Sequence, residues 1–221
     1  MFKNTRLIEY IPTIIVPAIW VTLKIMLFSA VISIICGLIL GTVLYITEKN
    51  GLKPNKYIYF ILDKITDIIR SFPVLILIVS IMPLTKIIMG TTIGPNAAIF
   101  AISVYCTPFA IKMTQNSFNV VNKDVIKAAK SCGASKKQII FKVVFVEALP
   151  HLVANMTILI INMLNTTAIA GAIGSGGLGA VALAYGYQRF DDAIMYFVVA
   201  ILLVFVIFIQ GLGNILYKVL K

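Results

Sequence analysis

Four stretches of the chain carry no charged side chain: Ile25–Thr47, Ile87–Ile111, Ala148–Gln188 and Ala193–Tyr217. Each exceeds the roughly 18 to 20 residues that cross a hydrocarbon core as a helix. The polar positions between them divide the pattern into five predicted spans, at about 17–46, 57–83, 94–114, 147–170 and 192–217. The second starts amphipathically near Tyr57, carries Asp63, Lys64, Asp67 and Arg70, and turns apolar from Ser71 to Pro83. The longest polar stretch, 112–142, separates the third span from the fourth. The pattern predicts an all-α polytopic membrane protein, with residues 1–221 forming one transmembrane domain.

Composition agrees: 60% of the residues are hydrophobic, 12% are charged and the mean hydropathy is +1.01. A soluble domain is closer to half apolar and a quarter charged. The first apolar block, Ile11–Thr47, far outruns a signal peptide's apolar region of roughly 7 to 15 residues, and no small-residue cleavage site interrupts it. It is expected to stay in place. Cys36, Cys106 and Cys132 are too scattered for a disulfide framework or a metal site.

The net charge of +11 is unevenly spread. If 48–56, 112–142 and the C-terminus are cytoplasmic, they hold twelve lysines, at 49, 53, 56, 112, 123, 127, 130, 136, 137, 142, 218 and 221. The other side then holds Lys3, Arg6, Lys86 and Arg189. Cytoplasmic loops carry the excess of basic residues, so the N-terminus is expected outside and the C-terminus in the cytoplasm. Topology and anionic lipid account for the charge, and no nucleic-acid partner is expected.

One motif cuts across this picture. Gly174, Gly176 and Gly179 stand in the G-x-G-x-x-G spacing, with Asp191 and Asp192 downstream. A dinucleotide site needs a strand before such glycines and a helix after them. Here a helix-length apolar span precedes them and another follows. The alternative is that Gly174, Gly176, Gly177 and Gly179 break the helix and let backbones approach. Gly37 and Gly41, and Ala168 and Ala172, are likewise spaced for helix packing.

Catalytic signals are absent. There is no Walker A motif, no H-E-x-x-H, no G-x-S-x-G and no paired-carboxylate site. The lone His151 beside Pro150 reads as a helix-end residue. No catalytic residue, metal ligand or bound cofactor is expected on this chain.

Residues 122–150 read NKDVIKAAKSCGASKKQIIFKVVFVEALP. Asn122 suits an N-cap, Asp124 the first turn, and Gly133 a left-handed helix end. The helix between them, with a thin apolar stripe of Val125, Ala129 and Cys132, is too short to stand alone. It needs a surface to dock against.

Ala128-Ala129, Gly133 and the apolar segment from Val143 resemble the EAA loop of ABC importer permeases. Lys127 stands where that family usually has Glu, and Phe145-Val146 where it usually has Leu-Pro. IIRSFPVLIL (68–77), IMPLTKIIMGTTIGPNAA (81–98), TPFAIKMTQNS (107–117), VEALP (146–150) and GAIGSGGLGAVALAYGY (171–187) extend the likeness. They resemble the methionine importer permeases.

The resemblance implies a type I ABC importer permease fold in a bacterial cell membrane. It implies a second copy of the chain, a cytoplasmic ATPase dimer carrying ATP and Mg, and an extracytoplasmic methionine-binding lipoprotein. Residues 115–142 become a cytoplasmic coupling loop. Its ATPase contacts are expected at Lys123, Asp124, Lys127, Ala128, Ala129, Gly133 and Ala134. The cargo is expected to be L-methionine, with D-methionine open. Rival readings are another amino acid or short peptide carried by the same machine, and an ATP-independent channel or secondary transporter.

Polar side chains in the fourth span, Asn162, Asn165, Thr166 and Thr167, are costly at that depth unless they pair or face a cavity. Asn162, Asn165 and Thr166 are therefore candidates to line the substrate path. Helix–helix hydrogen bonds at a homodimer seam are the alternative. Lys24 is expected either to snorkel or to pair with Glu9, and Asp67 and Arg70 to form an ion pair.

Overall fold

A computed structural model describes residues 6–221, and among them every element is helical. Lys3, counted above on the outer side, lies outside the described residues. Helix α1 spans Leu7–Thr47, and α2 (Lys56–Ser71), α3 (Val74–Ser80) and α4 (Met82–Met89) follow. Next come α5 (Pro95–Asn119) and a short α6 (Lys123–Ser131). The chain ends with α7 (Lys136–Gly171), α8 (Gly177–Tyr187) and α9 (Asp192–Leu220). Four of these, α1, α5, α7 and α9, are long and apolar enough to cross a membrane.

Several boundaries differ from the expected ones. α1 begins at Leu7 because a π-helical turn, Ile11–Ile15, accommodates Pro12 and lets the helix continue. The expected second span is three helices. Phe72, held extended ahead of Pro73 at φ −78° and ψ 137°, ends α2. A second break at Ile81 precedes Pro83, and Gly90 at φ +74° ends α4. α7 starts at Lys136 rather than near residue 147, so His151 and Pro150 lie inside a helix, not at its end. The His151 ring instead meets Tyr217 edge-on at 6.4 Å.

The centre of the fold is the contact between α1 and α5, where every fourth residue of α1 is small: Ser29, Ser33, Gly37 and Gly41. The Ser29 and Ser33 hydroxyls donate to the Ile99 and Ser103 carbonyls at 3.2 and 3.3 Å. A methyl group on Gly37 would collide with Ala110 Cβ, and one on Gly41 would lie 2.7 Å from the Ile111 carbonyl oxygen. Small residues let the two backbones touch. Because the contacts advance together from 29 to 99 and from 41 to 111, α1 and α5 run parallel.

Charge is tucked between α2 and α5. Lys112 Nζ pairs with Asp63 and lies 3.3 Å from Asp67, which also faces Arg70 at 3.8 Å. The Arg70 guanidinium sits 5.0 Å from the Phe109 ring centroid. Lys112 is therefore part of a helix–helix network and not a loop residue, which reduces the basic count on that side from twelve to eleven. Lys24 is exposed and forms no ion pair with Glu9 among the described residues. Fifteen residues apart on one helix, the two stand about 22 Å from each other.

Candidate functional site

α6 is assembled by local rules. Asn122 Oδ1 accepts from the Asp124 N–H at 2.9 Å, and the Asp124 carboxylate accepts from Lys127 Nζ at 2.9 Å. At the far end the Ala134 N–H donates to the Ala129 carbonyl at 3.1 Å and the Gly133 N–H to the Lys130 carbonyl at 3.0 Å. With Gly133 at φ +79° this is a Schellman closure. Ser135 and Gln138 then form a capping box that launches α7: Ser135 N–H donates to Gln138 Oε1 at 2.8 Å, and Gln138 N–H to Ser135 Oγ at 3.4 Å.

What anchors α6 is Ile126, buried against Tyr45, Phe118, Ile139, Ile140 and Val144. Ala129 and Ala134 flank it, half-buried. The inner face is thus Ile126 and Ala129, one step round from the expected Val125–Ala129–Cys132 stripe. Val125 and Cys132 are exposed, because the larger Ile126 takes the core position. By helical spacing the opposite face runs through Asp124, Lys127, Ala128 and Ser131, all exposed. Lys123 and Lys130 flank Ile126 by the same spacing, beside a cavity of about 190 Å³ that Glu48 and Asn50 also line. Gln115 Nε2 donates to Glu48 there at 3.3 Å.

At the opposite end of α7 the glycines do two jobs. Gly174, Gly176 and Gly177 have φ of +91°, +78° and +79°, values that reverse the chain between α7 and α8. Gly179 is helical, and a side chain there would strike the Ala168 backbone. The turn is tied down from outside: Leu178 N–H donates to Thr22 Oγ1 at 2.9 Å, and Gly94 N–H to the Gly174 carbonyl at 3.0 Å. With a helix before the glycines and no strand among the described residues, the dinucleotide alternative has no structural frame.

In α7, Thr166 and Thr167 are buried and donate back to their own helix, to the Asn162 carbonyl at 2.9 Å and the Leu164 carbonyl at 2.7 Å. Asn162 is half-buried. Asn165 is exposed and borders a cavity of about 290 Å³ with Ala168, Val199 and Leu202. The four polar residues are therefore divided between helix interior and open surface.

Residues 33–221 match a family described as the binding-protein-dependent transport system inner membrane component. The chain belongs to that family. The probable D-methionine transport system permease protein MetI of Vibrio cholerae is 37% identical over 205 residues, covering 93% of this chain and 91% of its own. The methionine import system permease protein MetP of Bacillus subtilis is 38% identical over 177 residues, 80% of each chain. A solved inward-facing MetNI methionine ABC transporter superposes with a TM-score of 0.93 at 32% identity, over 99% of this chain and 100% of that one. An amino acid ABC transporter at 19% identity and a TM-score of 0.78 shares the fold.

Three features of this inner-membrane component escaped sequence reasoning. The Ser135–Gln138 box was visible as S-x-x-Q, the signature of a helix start. The Lys112–Asp63–Asp67 network and the Thr22–Leu178 bond join residues far apart in the chain, and nothing local announces them.

Proposed function

We propose that this chain is the permease of an ATP-driven methionine importer, working as two copies above a pair of separate ATPase subunits. The observation that carries the proposal is α6: a short helix fastened by Ile126, closed at both ends by local bonds, with a solvent-exposed face that no other part of the described chain covers. A helix of this length is not stable by itself, and this one is built as a rigid knob.

ATP and Mg belong to the partner ATPase on this reading. Lys123, Asp124, Lys127, Ala128 and Gly133 present the contact, while Ala129 and Ala134 connect it to the bundle. Movement of the ATPase pair displaces α6, and the Ile126 cluster passes that displacement to the feet of α1, α5 and α7. An effector drives such a cycle only by contacting the two states differently. Asn162 and Asn165 belong to the path, which lies between the two copies, whereas Thr166, buried within one copy and bonded to its own helix, does not reach it. A binding lipoprotein delivers the cargo from outside.

The same reading has five crossings. α1 and α5 run parallel, so α2–α4 must return the chain between them, and α7 and α9 add the last two. This leaves the N-terminus outside and the C-terminus in the cytoplasm, with eleven loop and terminal lysines on the α6 side against four basic residues on the other.

Uptake of labelled L-methionine at micromolar concentration, with and without this gene in cells lacking other methionine routes, tests the cargo. Loss of uptake, competed by methionine derivatives alone, is expected. Persistent uptake would leave the transport fold standing and remove methionine from the proposal.

A further inference from the structure

Among the described residues one non-glycine has positive φ, and it is Phe190 at +56°. For a bulky side chain this backbone region is a genuine outlier, costly enough to persist only where the surroundings enforce it. The surroundings here do so. Gln188 N–H donates to the Leu183 carbonyl at 2.8 Å, Phe190 N–H to the Tyr187 carbonyl at 3.3 Å, and Asp191 Oδ1 caps α9 by accepting from Ala193 and Ile194. Arg189 is laid over the Tyr185 ring at 4.6 Å, and Tyr185 in turn meets Tyr10 edge-on at 5.2 Å.

The result of this bracing is an aromatic ring held in the open. Phe190 is 86% exposed and Tyr187 66%. Much of this chain is exposed and apolar because lipid covers it, but this turn is placed differently. Phe190 precedes Asp191 and Asp192, whose charges open α9 and keep that level of the chain in water or headgroups, and Gln188 and Arg189 flank it on the other side. Gln188, Arg189, Asp191 and Asp192 thus surround the ring in the chain with polar and charged groups that the hydrocarbon core excludes. The turn is also at the end of the bundle opposite α6, since α7 starts beside α6 and ends at Gly171.

We infer that Phe190, with Tyr187 beside it, is the docking anchor for the extracytoplasmic binding protein on which this family depends. The inference rests on the proposed function, and it adds the residue by which the delivery protein is gripped. A rigid aromatic at the centre of a polar rim is the usual form of a binding hot spot. The strain acts here as preorganisation, because the ring does not have to be ordered at the moment of docking.

The test uses the purified permease–ATPase complex in liposomes, titrated with the organism's own methionine-binding protein loaded with L-methionine. The readout is the binding-protein concentration that half-maximally stimulates ATP hydrolysis. Phe190→Gly and Phe190→Asn both suit positive φ and remove the ring, so each relieves strain and is expected to assemble normally on gel filtration. Both should raise the half-maximal concentration about tenfold, the scale of a lost hot spot. Phe190→Tyr should stay within twofold of the unchanged complex.

A half-maximal concentration unmoved in the Gly and Asn variants overturns the inference. So does loss of the assembled complex in both, which would place the ring against the second copy or in the lipid interface. Failure of the methionine-binding protein to stimulate even the unchanged complex overturns the anchor as stated, and uptake of labelled methionine then decides separately whether the methionine reading falls with it.

Discussion

Gly37 and Gly133 show two different uses of the same residue. Gly37 is helical and buried, and its missing side chain lets α1 touch Ala110 of α5. Gly133 has nothing within 4 Å of where a side chain would begin, and it is needed because its φ of +79° closes α6. The first holds helices together along their length. The second closes the end of a short helix that Ile126 fastens to the bundle. The comparison separates what keeps the bundle a rigid body from what shapes the helix proposed to meet the ATPase, and the two should fail in different ways.

The strongest break is at the seam. Gly37→Leu forces a branched side chain into a backbone contact that cannot open without moving α1 off α5, along with the Ser29 and Ser33 hydrogen bonds. Overpacking costs about 1–3 kcal/mol in a core able to shift. Here the neighbour is a helix backbone, and the expected outcome is no monodisperse protein on detergent extraction. Gly37→Ala is milder and should be partly restored by Ala110→Gly, because the worst collision is between the two Cβ atoms. Recovery without the second substitution would mean the seam is looser than described.

Next in size is the charge network. Lys112→Met leaves Asp63 and Asp67 facing each other's charge with Arg70 as the remaining cation. Removing one partner of a fully buried pair costs about 3–5 kcal/mol. Lys112 and Asp63 side chains are 17% and 19% exposed, so about 2 kcal/mol is the expected loss. Thermal melting in detergent measures it. Lys112→Met with Asp63→Asn should recover part of the difference, and failure of the pair to couple would assign the cost to lost packing instead.

These two sites also show what sequence reveals. The seam was legible as small residues four apart, and α6 as Asn122 and Gly133 bracketing a charged segment, because each depends on a side chain's effect on its own backbone. The inward face of α6 was misread by one position, since Val125 and Ile126 both suit an apolar stripe and only the core beneath chooses between them. Lys112 carried no sign of Asp63, which lies 49 residues away. Pro73 and Pro83 were visible breakers, yet an apolar run from Ser71 onward hid the division into α2, α3 and α4. Among the candidate path residues, hydroxyls that bond to their own helix look the same in sequence as hydroxyls that face a cavity.

Gly133→Val moves the comparison to its exposed side. A β-branched residue in left-handed backbone costs about 1–3 kcal/mol, but there is nothing for it to strike. The bundle should insert and melt normally, while α6 frays from its C-terminal end and ATP-driven transport falls by an order of magnitude. Gly133→Asn, which tolerates positive φ, should restore most of the transport. Equal loss with Val and Asn would show that the small size at this position, and not its backbone, is what the ATPase requires.

The smallest effect comes from Asp124→Asn. Asp124 contributes to α6 through the helix dipole and through its bond to Lys127, whose side chains are 77% and 75% exposed. Exposed pairs contribute about 0.2–1 kcal/mol and salt screens them. Asn at this position also keeps a polar side chain on the first turn, so the melting temperature should not move measurably. Transport then becomes the informative quantity. Local stability predicts less than a twofold change, because a helix fastened by Ile126 and its Schellman closure does not unfold for so small a loss. A drop of fivefold or more at unchanged melting temperature would mean that Asp124 is felt by the ATPase directly.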